Sequence, residues 1–222
     1  MPEPVSALRV KICGLTRPED AVVSAAAGAD YLGAVLVPSS PRAVDADSAR
    51  RIGEARPGGL VLVSADAEPR GLASRARRAE AAVLQLHGEE SPGDVRRLGE
   101  EGEWSVWKAL RVRSADDVER ALDRFAPVAD ALLLDGWRPG ELGGTGASFP
   151  WEEVGEVRRS FPASLKLVVA GGLTPENVGR AVELLRPDVV DVSSGVERRP
   201  GIKDNGRVRA FVAAARGALH PT

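Results

Sequence analysis

Short apolar runs alternate with amphipathic stretches along almost the whole chain. Runs of four to eight residues rich in Val, Leu and Ala, such as Ala-Leu-Leu-Leu at 131–134 and Val-Val-Asp-Val at 189–192, have the length and composition of buried strands. This pattern predicts strands at 8–13, 30–37, 59–63, 82–86, 105–110, 131–134, 167–170 and 189–192. Helical patterns fill the intervals. Their starts are marked by Pro18, Pro69, Pro92 and Pro175, and by the expected caps Thr16, Asp45 or Asp47, Ser91, Ser114 and Thr174. The sixth helix is expected near Trp151, and a final helix over about 204–216. Strict alternation implies parallel strands joined by crossover helices, and eight units close a barrel. The expected fold is therefore α/β, a single (β/α)8 TIM barrel, with one domain over 1–222 and the barrel over approximately 8–217. The alternative, an open doubly wound sheet, calls for a glycine-rich phosphate fingerprint after the first strand, and none stands there.

Composition narrows the class. The 222 residues carry a net charge of −2, with the arginines scattered along the chain, which argues against a nucleic-acid or membrane-surface protein. A single cysteine excludes an internal disulfide, and no Cys/His group has zinc spacing. The N-terminus lacks the basic and apolar regions of a secretory signal, and no run reaches the length of a membrane span, so a cytoplasmic protein is the expectation.

In such a barrel the chemistry sits at the carboxyl ends of the strands. The polar and glycine residues there are Cys13, Arg42, Gln85, His87, Asp135, Gly171-Gly172 and Ser193-Ser194-Gly195. Strand side chains alternate faces, so if Cys13 points into the barrel Lys11 does too. An ammonium there is expected to favour the reactive thiolate, although a free cysteine is as readily a small buried hydrophobe. Asp135 ends an apolar strand, a setting that favours the protonated carboxyl of a general acid; a helix cap or turn is the plain alternative. Arg42, in a proline-stiffened loop, can fork onto a carboxylate or simply face solvent. His87 is expected to make a structural hydrogen bond. Glycines after strand 7 and a Ser-Ser-Gly turn after strand 8 expose backbone N–H groups, where barrels frequently bind phosphate. The long Gly- and Pro-rich stretch at 136–150 is expected to be a functional loop.

Together these motifs resemble one family. Lys11-Ile12-Cys13-Gly14-Leu15-Thr16, Ser40-Pro41-Arg42, Gln85-Leu86-His87-Gly88, Leu134-Asp135, Gly143-Gly144-Thr145-Gly146, Ala170-Gly171-Gly172-Leu173 and Asp191-Val192-Ser193-Ser194-Gly195-Val196-Glu197, with Lys203-Asp204, occur in the order seen in the phosphoribosylanthranilate isomerases of the tryptophan pathway. The resemblance implies an Amadori rearrangement of a small phosphorylated substrate without cofactor or metal. It assigns Cys13 as general base, Asp135 as general acid and Arg42 to the anthranilate carboxylate. It assigns Gly171, Gly172, Ser193, Ser194 and Gly195 to the phosphate. Monomer and homodimer both stay open.

The chain departs from the family in strands 2 and 3, where Gly33-Ala34-Val35-Leu36-Val37 and Leu62-Val63-Ser64 replace patterns that usually carry aromatic residues. A paralogue acting on a substituted anthranilate is therefore one rival reading. A histidine-pathway sugar isomerase is another, for which the resemblance calls for an aspartate in place of Cys13. A catalytically silent binding protein is a third, with no need of both Cys13 and Asp135.

Overall fold

The computed structural model describes residues 8–136 and 151–218. Eight strands form a closed barrel in chain order: β1 (Arg9–Ile12), β2 (Tyr31–Val35), β3 (Leu60–Ser64), β4 (Val83–Leu86), β5 (Ser105–Val112), β6 (Ala131–Gly136), β7 (Lys166–Val169) and β8 (Val189–Val192). Every neighbouring pair in the barrel is parallel, and β1 closes against β8 with Lys11 opposite Asp191. Around it run α1 (Pro18–Ala26), α2 (Ala46–Gly53), α3 (Pro69–Ala79), α4 (Pro92–Glu100), α5 (Ala115–Phe125), α6 (Trp151–Val157), α7 (Val178–Leu185) and α8 (Asn205–Gly217). The expected TIM barrel is the observed one.

Side-chain parity divides the apolar residues into two clusters. Val10, Ile12, Leu132, Leu134, Val190 and Val192 join the helices in an outer layer. Tyr31, Val61, Val83, Trp107, Ala131, Leu133, Val168 and Val189 fill the barrel, with the Tyr31 and Trp107 rings edge-to-face at 5.1 Å. Continuing the inward parity toward the carboxyl ends reaches Lys11 on β1 and Cys13 just beyond it, Gln85 on β4, Asp135 on β6, Asp191 on β8 and Ser193 just beyond it. The inner faces that are apolar through the middle of the barrel thus become polar at the carboxyl ends.

The amino ends of the strands share one device. Asp30, Asp130 and Asp188 each stand just before a strand, and each accepts through Oδ2 from a backbone N–H of the preceding strand: Val10, Val106 and Leu167, at 2.7–2.8 Å. These carboxylates satisfy donors at the end of the barrel away from the polar mouth.

Helix starts match the expectation in part. Asp45 caps α2 by accepting from Ser48 N–H, and Ser91 with Asp94 forms a reciprocal capping box on α4. Thr16 is not a cap. Arg17 holds that position, and the Thr16 hydroxyl instead donates to the Gly201 carbonyl, from the segment after the neighbouring strand β8. Ser114 occupies the cap position of α5 without capping through its side chain. The seventh helix does not open at Thr174 but at Val178. The Asn177 side chain accepts from Thr174 N–H and donates to the Gly172 carbonyl, so residues 174–177 make a turn first. An antiparallel hairpin, β9 (Glu197–Arg199) with β10 (Ile202–Lys203), follows β8 and has no counterpart in the strand expectations. The stretch 137–150, including Gly143-Gly144-Thr145-Gly146, lies outside the described residues.

Candidate active site

A cavity of about 290 Å³ opens at the carboxyl ends of the strands. All the residues selected from the sequence line it: Cys13, Arg42, Gln85, His87, Asp135, Gly171, Gly172, Ser193, Ser194 and Gly195. Val35, Val63, Arg111 and Asp191 complete much of the wall. Of the positions that depart from the aromatic patterns, Val63 of β3 borders the cavity, whereas Ala34 and Leu36 pack in the outer layer.

Cys13 is buried at its floor. Gly33 on β2 makes room for it, since a Cβ on Gly33 would stand 2.8 Å from Cys13 Sγ. Beneath it lies Lys11, fully buried, whose Nζ donates to Asp191 Oδ2 at 2.8 Å. Burial works against the Lys11 charge, but Asp191 and Cys13 beside it more than offset that, and the ammonium is held above its usual range. The thiol does not come out as the sequence suggested. Burial pushes Cys13 up, Lys11 pulls it down and Asp191 pushes it up again, and the net direction is upward. The thiol is the favoured form, because desolvation outweighs one ammonium that is already shared with a carboxylate.

Asp135 stands on β6 with its side chain almost fully buried, and its Oδ2 is 3.2 Å from His87 Nε2. That pair meets the distance of an ion pair without the alignment of a hydrogen bond. The other ring nitrogen, Nδ1, faces the Gln85 amide Nε2 at 3.1 Å. With that amide donating, the ring hydrogen sits on Nε2. His87 thus makes the structural hydrogen bond expected of it and also borders the candidate acid.

Arg42 reaches the cavity from the loop after β2 and is not a solvated loop residue. Its Nε and Nη2 fork onto Glu197 Oε1 and Oε2 at 2.9 and 2.7 Å. That bidentate pair holds the guanidinium above its usual range. Glu197 also accepts from Lys203 Nζ at 2.8 Å and from Gly201 N–H. Burial favours its neutral form, but Arg42 and Lys203 outweigh this and keep it ionised. Glu197 and Lys203 were motif residues without an assigned task; the unpredicted hairpin gives them one.

Gly171 and Gly172 follow β7 with φ of +79° and +69°, a backbone region that suits glycine. Ser194–Val196 is a single 3-10 turn after β8. These two turns face the cavity side by side. Sequence reasoning missed Asp191 as a cavity residue, although a carboxylate at an inward position of an otherwise apolar strand was the signal.

Among the described residues there is no His, Cys, Asp and Glu group arranged to hold a metal ion, and no helix long and apolar enough to cross a membrane.

Comparison with known proteins gives the same reading. A family model described as N-(5'-phosphoribosyl)anthranilate (PRA) isomerase matches residues 10–214. The N-(5'-phosphoribosyl)anthranilate isomerase of Rubrobacter xylanophilus is 45% identical over 210 residues, covering 94% of this chain and 98% of that one. The crystal structure of phosphoribosyl anthranilate isomerase from Thermotoga maritima aligns with a TM-score of 0.86 at 40% identity, covering 95% of this chain and 99% of that one. A structure of a phosphoribosyl anthranilate isomerase in complex with reduced 1-(o-carboxyphenylamino)-1-deoxyribulose 5-phosphate aligns with a TM-score of 0.82 at 38% identity, covering 95% and 99%. Family model, relatives and barrel all agree, and the chain belongs to the N-(5'-phosphoribosyl)anthranilate isomerase family of enzymes.

Proposed function

We propose that this chain converts N-(5-phosphoribosyl)anthranilate to 1-(2-carboxyphenylamino)-1-deoxyribulose 5-phosphate in tryptophan biosynthesis, with Asp135 as general acid and Cys13 as general base. The observation that carries these roles is that both residues line one cavity, Cys13 just after β1 and Asp135 on β6, with Arg42 and the two glycine-bearing turns also on its wall. A substrate with a phosphate at one end and an aryl carboxylate at the other matches that wall.

Asp135 protonates the ribose ring oxygen, and the anilino nitrogen lone pair opens the ring to an iminium ion. The positive charge now lies one carbon from C2'. It acidifies the C2' proton and draws the Cys13 thiol toward the thiolate that burial alone disfavours. Thiolate attack on that proton gives the enolamine, which tautomerises to the ketone. Arg42 holds the anthranilate carboxylate with the N–H groups that Glu197 leaves open, and the phosphate lies on Gly171, Gly172, Ser193, Ser194 and Gly195. That a smaller side chain borders the cavity at Val63 favours tolerance of a ring-substituted anthranilate as a second activity.

The test generates phosphoribosylanthranilate in situ and follows the loss of its fluorescence. Wild type removes it rapidly, whereas Cys13→Ser and Asp135→Asn each lose roughly 10²–10⁴-fold in kcat with the fold retained. Near-wild-type kcat in either variant shows that role to be misassigned.

A further inference from the structure

Asp191 stands on β8 (Val189–Val192) with apolar neighbours on both sides, and its side chain is more than nine-tenths buried. One carboxylate oxygen, Oδ2, takes the Lys11 ammonium at 2.8 Å. The other, Oδ1, is buried and has no protein partner. The residue lines the same cavity as Cys13. A buried carboxylate oxygen without a partner is costly in a folded protein, and at a cavity wall it is satisfied by what enters the cavity.

We propose that Asp191 Oδ1 accepts the hydroxyl on C2' of the ribose and takes its proton in the last step of the rearrangement. This rests on the substrate and the Cys13 role proposed above. If Cys13 takes the hydrogen of C2', the other substituents of that carbon lie among the neighbours of Cys13, and Lys11 ties Asp191 to that neighbourhood. The enolamine has a C1'=C2' double bond and a hydroxyl on C2'. In ketonisation the O2'–H bond breaks and its electron pair forms C2'=O. The C1'=C2' pair takes a proton at C1', returned by the Cys13 thiol, and the O2' proton passes to Asp191. Asp135 has then lost one proton and Asp191 has gained one, and transfer through water restores both.

The binding test needs no turnover. The probes are the reduced product, which carries a hydroxyl on C2', and its analogue lacking that hydroxyl, titrated calorimetrically. Wild type is expected to bind the analogue about 10- to 100-fold more weakly, the span of a hydrogen bond to a charged group. In Asp191→Ala the two ligands bind within about threefold of each other, the gap having closed. Equal binding of both ligands by wild type overturns the proposal, and needs no variant to fold. Binding of neither by wild type overturns the substrate assignment itself. A second readout separates a chemical from a merely structural role. In D2O, Asp191→Asn is expected to return substrate deuterated at C2' faster than it forms product, because proton removal survives and ketonisation is slowed. Wild-type product formation in that variant contradicts the proposal.

Discussion

At the scale of single residues, the site is a set of charges held in place by partners far away in sequence. Cys13 is the chain's only cysteine, so its titration can be followed without interference. Burial moves its thiol above the ordinary value of about 8.5. The rate of alkylation by iodoacetamide in substrate-free protein is therefore expected to keep rising with pH beyond that value. A plateau well below pH 8 contradicts this. The sign for stability follows from the same shift. Below the ordinary thiol range the proton is bound in both states and nothing changes. As pH climbs through that range the unfolded chain loses the proton first, and stability falls. Arg42 gives a second prediction. Arg42→Ala should raise KM with little change in kcat, and Glu197→Gln should do so more weakly, by about 10-fold, as the fork loses its charge partner. If kcat falls and KM stays, Arg42 is not the carboxylate holder.

Among the elements, the two ends of the barrel divide the labour. The carboxyl ends carry the cavity, whereas at the amino ends Asp30, Asp130 and Asp188 satisfy strand donors. Asp130→Ala frees the Val106 N–H and is expected to cost about 1–3 kcal/mol of unfolding free energy with kcat and KM unchanged. Chemical denaturation beside the fluorescence assay checks it, and a kcat loss without a stability loss would refute the division. The hairpin of β9 (Glu197–Arg199) and β10 (Ile202–Lys203) belongs to the catalytic end. It is short, but it carries the carboxylate that holds Arg42 and the ammonium that holds that carboxylate.

For the whole molecule, the cavity collects residues from strands on every side of the barrel, so a ligand there braces the closed form against unfolding. Reduced product at about 100 times its Kd should stabilise by about 2.7 kcal/mol, a rise in Tm of roughly 5–10 °C for a chain of this size. At the same ligand concentration Arg42→Ala should show a visibly smaller rise. An unchanged Tm in wild type at that concentration contradicts specific binding to the folded chain.

The alternation of apolar runs and helices was enough to predict a closed parallel barrel, because strands covered on both faces must be apolar and their crossovers must be helical. Parity tied Cys13 to the same face as Lys11, position at a strand end singled out Asp135, and the motifs together named the family. Three things depended on closure of the barrel. Lys11 meets Asp191 across 180 positions, and Arg42 meets Glu197 across 155, pairings that no local pattern encodes. The direction of the Cys13 shift was the second: an ammonium two residues away argued for thiolate, but burial and the Asp191 charge are properties of the assembled interior, and they outweigh it. The third was the late start of α7 (Val178–Leu185), where Asn177 bonds back to Thr174 and Gly172 and keeps residues 174–177 in a turn after β7. The sequence by itself determined that the polar and glycine residues gather at the carboxyl ends of the strands, since the order of the elements and the residues that end them are local features. Only the tertiary structure decided their partners and protonation, since those depend on groups brought together when β1 closes on β8.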